Sequence, residues 1–201
     1  MTECLVTGMP NVGKTCFVIN FAEYMGLKEL KFYIRQLAGY TSVRRYSPED
    51  ARNELISEES NFTREIQSVK LEIPSGKVFK ELEIIDSCGL SEGIHPDAEI
   101  RLAMAQTIRL IRESNLILHM IDLTNISKEE EDILLPLDRM IMNYASLEKN
   151  YAILANKIDL HSAKENLKIL RENFISKKII PISALYWLGF QEVKRLVLNY
   201  V

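Results

Sequence analysis

The chain has 201 residues, 47% of them hydrophobic and 26% charged, which suits a single domain with one sizeable core. That composition excludes a disordered chain, a collagen-like repeat and a coiled coil. With 25 Lys and Arg against 28 Asp and Glu, the net charge of −3 supplies no global attraction to nucleic acid or anionic lipid. Cys4, Cys16 and Cys88 form no CxxC pair, which excludes a disulfide framework and a zinc ribbon and points to a reducing cytoplasm. The N-terminus lacks a basic region followed by an apolar run, so no secretory leader is expected. The longest apolar stretch, residues 115–121, falls far short of the ~20 residues of a membrane-spanning helix.

Along the chain, strands and helices alternate. Residues 4–7 read as a short buried strand ending at Gly8, with a helix over residues 13–25. Residues 68–73 and 78–86 alternate polar and apolar positions and are joined by Pro74-Ser75-Gly76-Lys77, a hairpin turn. Helical spacing of Ile100, Ala103, Met104, Ile108 and Ile111 predicts a helix over residues 97–113. Residues 116–122 are a continuous apolar strand. Ser127 with Glu130 reads as a capping box opening the next helix, within which Pro136 is expected to produce a kink or interruption. Residues 152–155 are another buried strand, Ser162 with Glu165 caps a further helix, residues 178–182 are the last strand, and residues 190–200 close the chain as an amphipathic helix. Such alternation predicts an α/β fold with a largely parallel sheet covered on both faces, the hairpin adding one antiparallel edge strand.

Gly8-Met-Pro-Asn-Val-Gly-Lys-Thr15 matches G-x-x-x-x-G-K-[ST] between a strand and a helix. Gly8 and Gly13 permit the dihedrals that turn backbone N–H groups inward around a phosphate. The amides of Gly8, Asn11, Val12, Gly13, Lys14, Thr15 and Cys16, with the helix N-terminus behind them, form the expected cradle. Lys14 adds positive charge at the β- and γ-phosphates, and Thr15 offers a hydroxyl to Mg²⁺.

Asn156-Lys-Ile-Asp159 and Ser183-Ala-Leu185 each follow a predicted strand, at the carboxyl ends where doubly wound sheets bind ligands. The Asp159 carboxylate only accepts hydrogen bonds, and guanine presents N1–H and N2–H₂ side by side where adenine offers no such pair. Charge-assisted bonds contribute about 1.5–3 kcal/mol each, and a site built on them rejects the wrong partner by roughly 10⁴-fold. Asn156 would tether the loop and meet the base, the Lys157 stem would cover the ring, and the Ala184 N–H, between Ser183 and Leu185, would meet O6. The pair of motifs specifies GTP over ATP.

With these motifs the chain resembles the small G-protein fold, and most of all bacterial GTPases of the translation-factor-related class, of the Era, Obg and TrmE kind. The likeness rests on residues 8–15, 86–89, 156–159 and 183–185 and spans nearly all of the chain except about residues 28–61. It implies a P-loop NTPase G domain over residues 1–201, with a mostly parallel six-stranded sheet, one antiparallel edge strand, and helices on both faces. It also implies a Mg²⁺-dependent GTP-to-GDP switch in which Asp86 holds the metal through water and the Gly89 N–H meets the γ-phosphate. A threonine before the hairpin completes the metal site in that family. Thr63 is the candidate here, and Thr41, further from the hairpin, is the alternative. Leu90 stands where Ras-like proteins carry the glutamine that orients water, so intrinsic hydrolysis is expected to be slow. The alternative function is a nucleotide-dependent interaction module that hardly turns over. Asn11 matches the loop asparagine with which some relatives hold a K⁺ ion in place of an arginine finger. The catalytic set implied is Lys14, Thr63, Gly89 and Asn11.

Thr15 and Thr63 are separated by 47 residues, an unusually long interval. Within it, residues 28–45 carry +4 and residues 46–62 carry −4. Ser47-Pro-Glu-Asp50 is a helix start, with Pro at the first helical position and early acids. This predicts an inserted strand or loop followed by a short helix to about Glu58. The insertion and the switches are the candidate surface for a protein partner or self-association. Lys31, Arg35, Arg44 and Arg45 with Tyr33 and Tyr40 offer a weaker case for RNA or the ribosome, since the charges cancel across the insertion. Among other residues, Cys88 reads as a packed thiol, His95 as a loop histidine and His119 as a core histidine paired with backbone. Trp187 and Phe190 are expected to pack the closing helix.

Overall fold

A computed structural model describes residues 1–35, 40–56, 66–75, 77–91, 93–126, 133–148 and 150–201. Its strands are β1 (Thr2–Thr7), β2 (Leu30–Arg35), β3 (Thr41–Tyr46), β4 (Ile66–Ser75), β5 (Val78–Asp86), β6 (Leu116–Asp122), β7 (Asn150–Asn156) and β8 (Ile179–Pro181). Its helices are α1 (Lys14–Tyr24), α2 (Pro48–Leu55), α3 (Ala98–Glu113), α4 (Pro136–Glu148), α5 (Ala163–Asn173) and α6 (Phe190–Leu198). The strands form one sheet in the order β3-β2-β4-β5-β1-β6-β7-β8.

From β5 through β1, β6 and β7 to β8 every pairing is parallel. Helices cover both faces of these strands, so their side chains are buried on either side and the sequence runs apolar without alternation. All seven positions of β6 are buried. On one face α1, α2 and α6 bring Phe17, Phe21, Ala51 and Phe190 against Val6, Leu118 and Leu154. Phe17 stacks on Phe21 with ring centroids 5.1 Å apart, Phe190 meets Phe17 edge-on at 5.4 Å, and Trp187 lies flat on Phe190. On the other face α3 and α4 pack Leu110, Ile111 and Ile141 on Leu5, Ile85 and Ile117, while Ala163 and Leu170 of α5 pack with Ile153.

The sheet has eight strands among the described residues, not the six expected. The two extra strands lie within residues 28–61: β2 pairs antiparallel with β4, and β3 antiparallel with β2. The hairpin strand β4 is therefore internal, and β3 forms the edge. Three antiparallel pairings replace the single one predicted. An alternating strand that follows a helix cannot, from its own pattern, reveal which neighbour it will join. The short helix after them is α2, with Pro48 at its start and the Ser47 hydroxyl accepting from the Asp50 N–H at 3.1 Å. It ends at Leu55, and Glu58 lies outside the described residues.

Pro136 does not kink a helix. It opens α4, where the missing N–H removes no intrahelical bond. The Ser127 and Glu130 capping box lies outside the described residues. Ser162 precedes α5, but its side chain makes no capping bond. Asp97 does cap α3, accepting from the Glu99 N–H at 2.8 Å.

Candidate functional site

The carboxyl ends of β1, β5, β6, β7 and β8 lie side by side, and the loops leaving them carry the motif residues. Between β1 and α1, the backbone of residues 8–13 turns through Gly8 (φ 141°), Asn11 (φ 62°) and Gly13 (φ 97°). Gly13 is required twice over. Its φ lies in the left-handed region, and a Cβ there would come within 2.6 Å of Asn156 Nδ2. Asn11 is exposed at the loop, while Val12 and Lys14 are buried. Lys14 Nζ donates to the carbonyls of Met9 at 2.7 Å and Gly8 at 3.3 Å, which holds the ammonium across the loop. Burial lowers its pKa to about 8, against the opposing pull of Asp86. Thr15 and Cys16 open α1, and burial pushes the Cys16 thiol up to about 11.

Asp86 ends β5 fully buried. Its Oδ2 accepts from Thr15 Oγ1 at 2.7 Å and from Gln67 Nε2 at 2.9 Å. Burial pushes this carboxyl up, while Gln67, Thr15 and Lys14 pull it down. Among the described residues its Oδ1 has no hydrogen-bond partner. An unpartnered carboxylate oxygen beside a threonine hydroxyl is a hard-oxygen donor set, and it fits a Mg²⁺ ion that completes its shell with water and phosphate.

On the base side, the amide of Asn156 joins three loops. Its Nδ2 donates to Val12 O at 2.7 Å, and its Oδ1 accepts from Ala184 N–H at 2.9 Å. The Ala184 N–H expected at guanine O6 is thus already engaged, so a contact to O6 would share that proton. Lys157 takes a left-handed φ of 68°, and Ile158 N–H bonds to Ile182 O, clipping this loop to the end of β8. Asp159 is exposed on the resulting turn. The Lys157 ammonium pairs with Asp122 Oδ2 at 2.5 Å, so its stem is held between two loops. Ser183 Oγ accepts from Tyr186 N–H at 3.2 Å, which tightens the last loop and leaves Leu185 exposed.

At the switch end, Gly89 lies so close to the phosphate loop that a Cβ would come within 2.9 Å of Pro10 backbone atoms. Leu90 N–H bonds to Gly8 O, and its side chain packs into the core beside Ile85 and Leu110, 3% exposed. Cys88 is a packed thiol, pushed up to about 11 by burial. His95 Nδ1 accepts from the Asp97 N–H. Thr41 begins edge strand β3, three strands away from β5, a lateral separation of about 14 Å at usual strand spacing. That distance removes it as a partner of Asp86 in this structure. Thr63 lies outside the described residues.

Sequence reading missed Gln67, Asn20 and Asp122. A polar residue one strand from Asp86 gave Gln67 no motif, and Asn20 sits in a helix whose neighbours are apolar. Asp122 alone had a usable signal, an acid at the carboxyl end of a buried strand. His119 was expected to pair with backbone. Its Nε2 instead meets the buried Asp138 Oδ1 at 2.9 Å and its Nδ1 meets the half-buried Tyr151 OH at 2.7 Å, a polar triad linking β6, α4 and β7.

A sequence profile described as 50S ribosome-binding GTPase matches residues 3–157. The tRNA modification GTPase MnmE of Aquifex aeolicus is 26% identical over 197 residues, covering 98% of this chain and 34% of its own length. The chain spans about a third or less of the length of the curated relatives it matches. Among solved structures, Aquifex aeolicus Era bound to GDP.AlF4- aligns with a TM-score of 0.68 at 21% identity, over 100% of this chain and 57% of that one. Era in complex with MgGDPNP and nucleotides 1506–1542 of 16S ribosomal RNA aligns with a TM-score of 0.65 at 22% identity, over 99% of this chain and 56% of that one. At these identities the two structures speak for the fold. No helix among the described residues is long and apolar enough to cross a membrane.

Proposed function

This chain belongs to the 50S ribosome-binding GTPase family, and from that premise we propose that it binds GTP and hydrolyses it to GDP and phosphate as a Mg²⁺-dependent switch. The observation that carries this reading is the Asn156 amide, which draws Val12 of the phosphate loop and Ala184 of the last loop to one point. The amides of Gly8, Asn11, Val12, Gly13, Lys14, Thr15 and Cys16 take the phosphates, and Lys14 moves its charge from the loop carbonyls to the β- and γ-oxygens. Asp159 accepts from N1–H and N2–H₂ of guanine, the Lys157 stem covers the ring, and residues Ser183, Ala184 and Leu185 close the base pocket. Thr15, Asp86 through water, and Thr63 would hold Mg²⁺, which would supply positive charge against that developing on the phosphates. Gly89 N–H reports the γ-phosphate, so its loss on hydrolysis releases both switch loops.

A second reading is favoured by one observation, the burial of Leu90 in the core. No side chain at that position orients the attacking water, and the chain then acts as a GTP/GDP-dependent interaction module with little turnover. Asn11, exposed on the loop, is the residue that would hold a K⁺ ion to supply the missing charge, in the place of an arginine finger, which is worth about 10³–10⁵ in rate. The partner sought by either reading is a protein or a second copy meeting the switches and the insertion, with RNA the less supported choice. The free thiols favour a reducing cytoplasm as its place of work.

Single-turnover phosphate release from GTP with Mg²⁺, in KCl and in NaCl at matched ionic strength, tests both readings. Release in either salt supports the hydrolase, and faster release in KCl supports the role of Asn11. Equal rates in the two salts remove that role. Tight GTP binding with no release in either salt leaves the interaction module.

A further inference from the structure

The inserted helix α2 reaches the base pocket through one side chain. Arg52 Nη1 donates to Asn20 Oδ1 at 3.0 Å and pairs with Glu23 at 2.5 Å, both on α1. Asn20 is 1% exposed, and its Nδ2 donates to Ala184 O at 2.8 Å. Ala184 N–H then donates to Asn156 Oδ1, and Asn156 Nδ2 to Val12 O. A continuous path of hydrogen bonds therefore runs from the insertion, through α1, to the last base loop, the Asn156 loop and the phosphate loop.

The direction of every bond in this path is dictated by chemistry. A guanidinium has only donors and a carbonyl oxygen only accepts. Asn20 can satisfy both Arg52 and Ala184 O in one orientation alone, with Oδ1 toward Arg52 and Nδ2 toward the loop. Without Arg52, the buried Oδ1 of Asn20 loses its donor, and only the bonds from Nδ2 to Ala184 O and Cys16 Sγ still hold the amide. A flip would set Oδ1 against Ala184 O, two acceptors face to face, so the unsatisfied Oδ1 is relieved only by Asn20 shifting away from Ala184, which loosens the segment that positions Asn156.

We infer that Arg52 is a positioning residue for guanine recognition, through which the insertion sets how tightly and how selectively the base is held. The inference rests on the guanine-nucleotide reading of the site. It also makes α2 the lever by which anything that docks on residues 28–61 would alter nucleotide release, since pulling Arg52 away leaves the buried Asn20 Oδ1 without its donor. Arg52 touches no nucleotide itself, so its effect appears in selectivity and release.

The test is competition against fluorescent mant-GDP with Mg²⁺, giving half-displacement concentrations of GDP and ADP, together with mant-GDP release rates and thermal melts. The proteins are the unmodified chain, Arg52→Met, Arg52→Gln and Ala51→Gly. The first two remove the donor to Asn20, the Gln amide being too short to span the gap, and either one that folds suffices. Ala51→Gly weakens the same helix without removing a hydrogen-bonding group. The expected result is an ADP-to-GDP ratio that falls by roughly 3- to 30-fold in the Arg52 variants, with GDP release quickened by a similar factor. Ala51→Gly should keep the ratio of the unmodified chain despite a lower melting temperature. A ratio unchanged in the Arg52 variants, or lowered as much by Ala51→Gly, overturns the inference. An unmodified chain that binds neither nucleotide overturns the guanine-nucleotide reading itself, which is a separate failure.

Discussion

The parallel half of the sheet and the antiparallel edge are built on opposite terms. In β6 every residue is buried, and β7 buries five in succession, so position along these strands is set by packing on both faces. In β3 no residue is buried, and β2 buries alternate positions only. The loops at the parallel end are tied to one another by buried side chains bonding to backbone, as Asn156 and Asn20 do. The edge is held by ladder hydrogen bonds, by the apolar face of β2, and by α2 resting on α1 through Ala51 and Arg52. The difference teaches where the chain tolerates change. The loops that carry the motif residues sit where packing leaves one solution, and residues 30–46 add two strands where a strand edge could simply be extended.

The sharpest way to break this contrast is at the base pocket. Asp159→Ala removes two charge-assisted bonds, and GDP affinity measured by calorimetry should fall by about 10²–10⁴-fold, with ADP binding unchanged. A loss shared equally by ADP would mean that the carboxylate supports the loop and does not select the ring. Next comes the polar triad of the parallel half. Asp138→Ala leaves His119 Nε2 without its partner in the core, and urea unfolding should show a loss of about 2–4 kcal/mol. At the edge the same kind of measurement should barely respond. Val43→Thr, on an exposed position of β3, is expected to change stability by less than about 0.5 kcal/mol. A large loss there would show that the outer face of the edge is covered in solution.

Particular residues show how far the sequence carried. The phosphate loop, Asp86, residues 156–159 and 183–185 were readable because each is a short local pattern whose strand-to-loop context shows in the apolar runs beside it. The structure places them together at one end of the sheet. The start of α2 at Ser47 and Pro48 was readable for the same reason, since capping involves residues two or three apart, whereas the Ser162 cap was not formed. Pro136 was misplaced because a helix boundary depends on where the preceding segment ends, which its own neighbours do not state. Gln67, Asn20 and Arg52 went unseen as site residues. Their partners lie 19, 164 and 32 residues away, and an amide or guanidinium without a motif looks like any solvated polar group. The pairing of His119 with Asp138 and Tyr151 was hidden in the same way.

The sequence by itself determined the alternation of elements, the phosphate and base loops and the residue types that suit a guanine nucleotide, because those depend on contacts between near neighbours in the chain. Only the tertiary structure decided that residues 30–46 extend the sheet beyond β4, that Leu90 turns into the core, and that Arg52 is joined to Ala184 through Asn20. Those outcomes depend on which strand edge is open and which buried donor finds which acceptor. Both are settled when distant segments pack, and neither is written in the local order of residues.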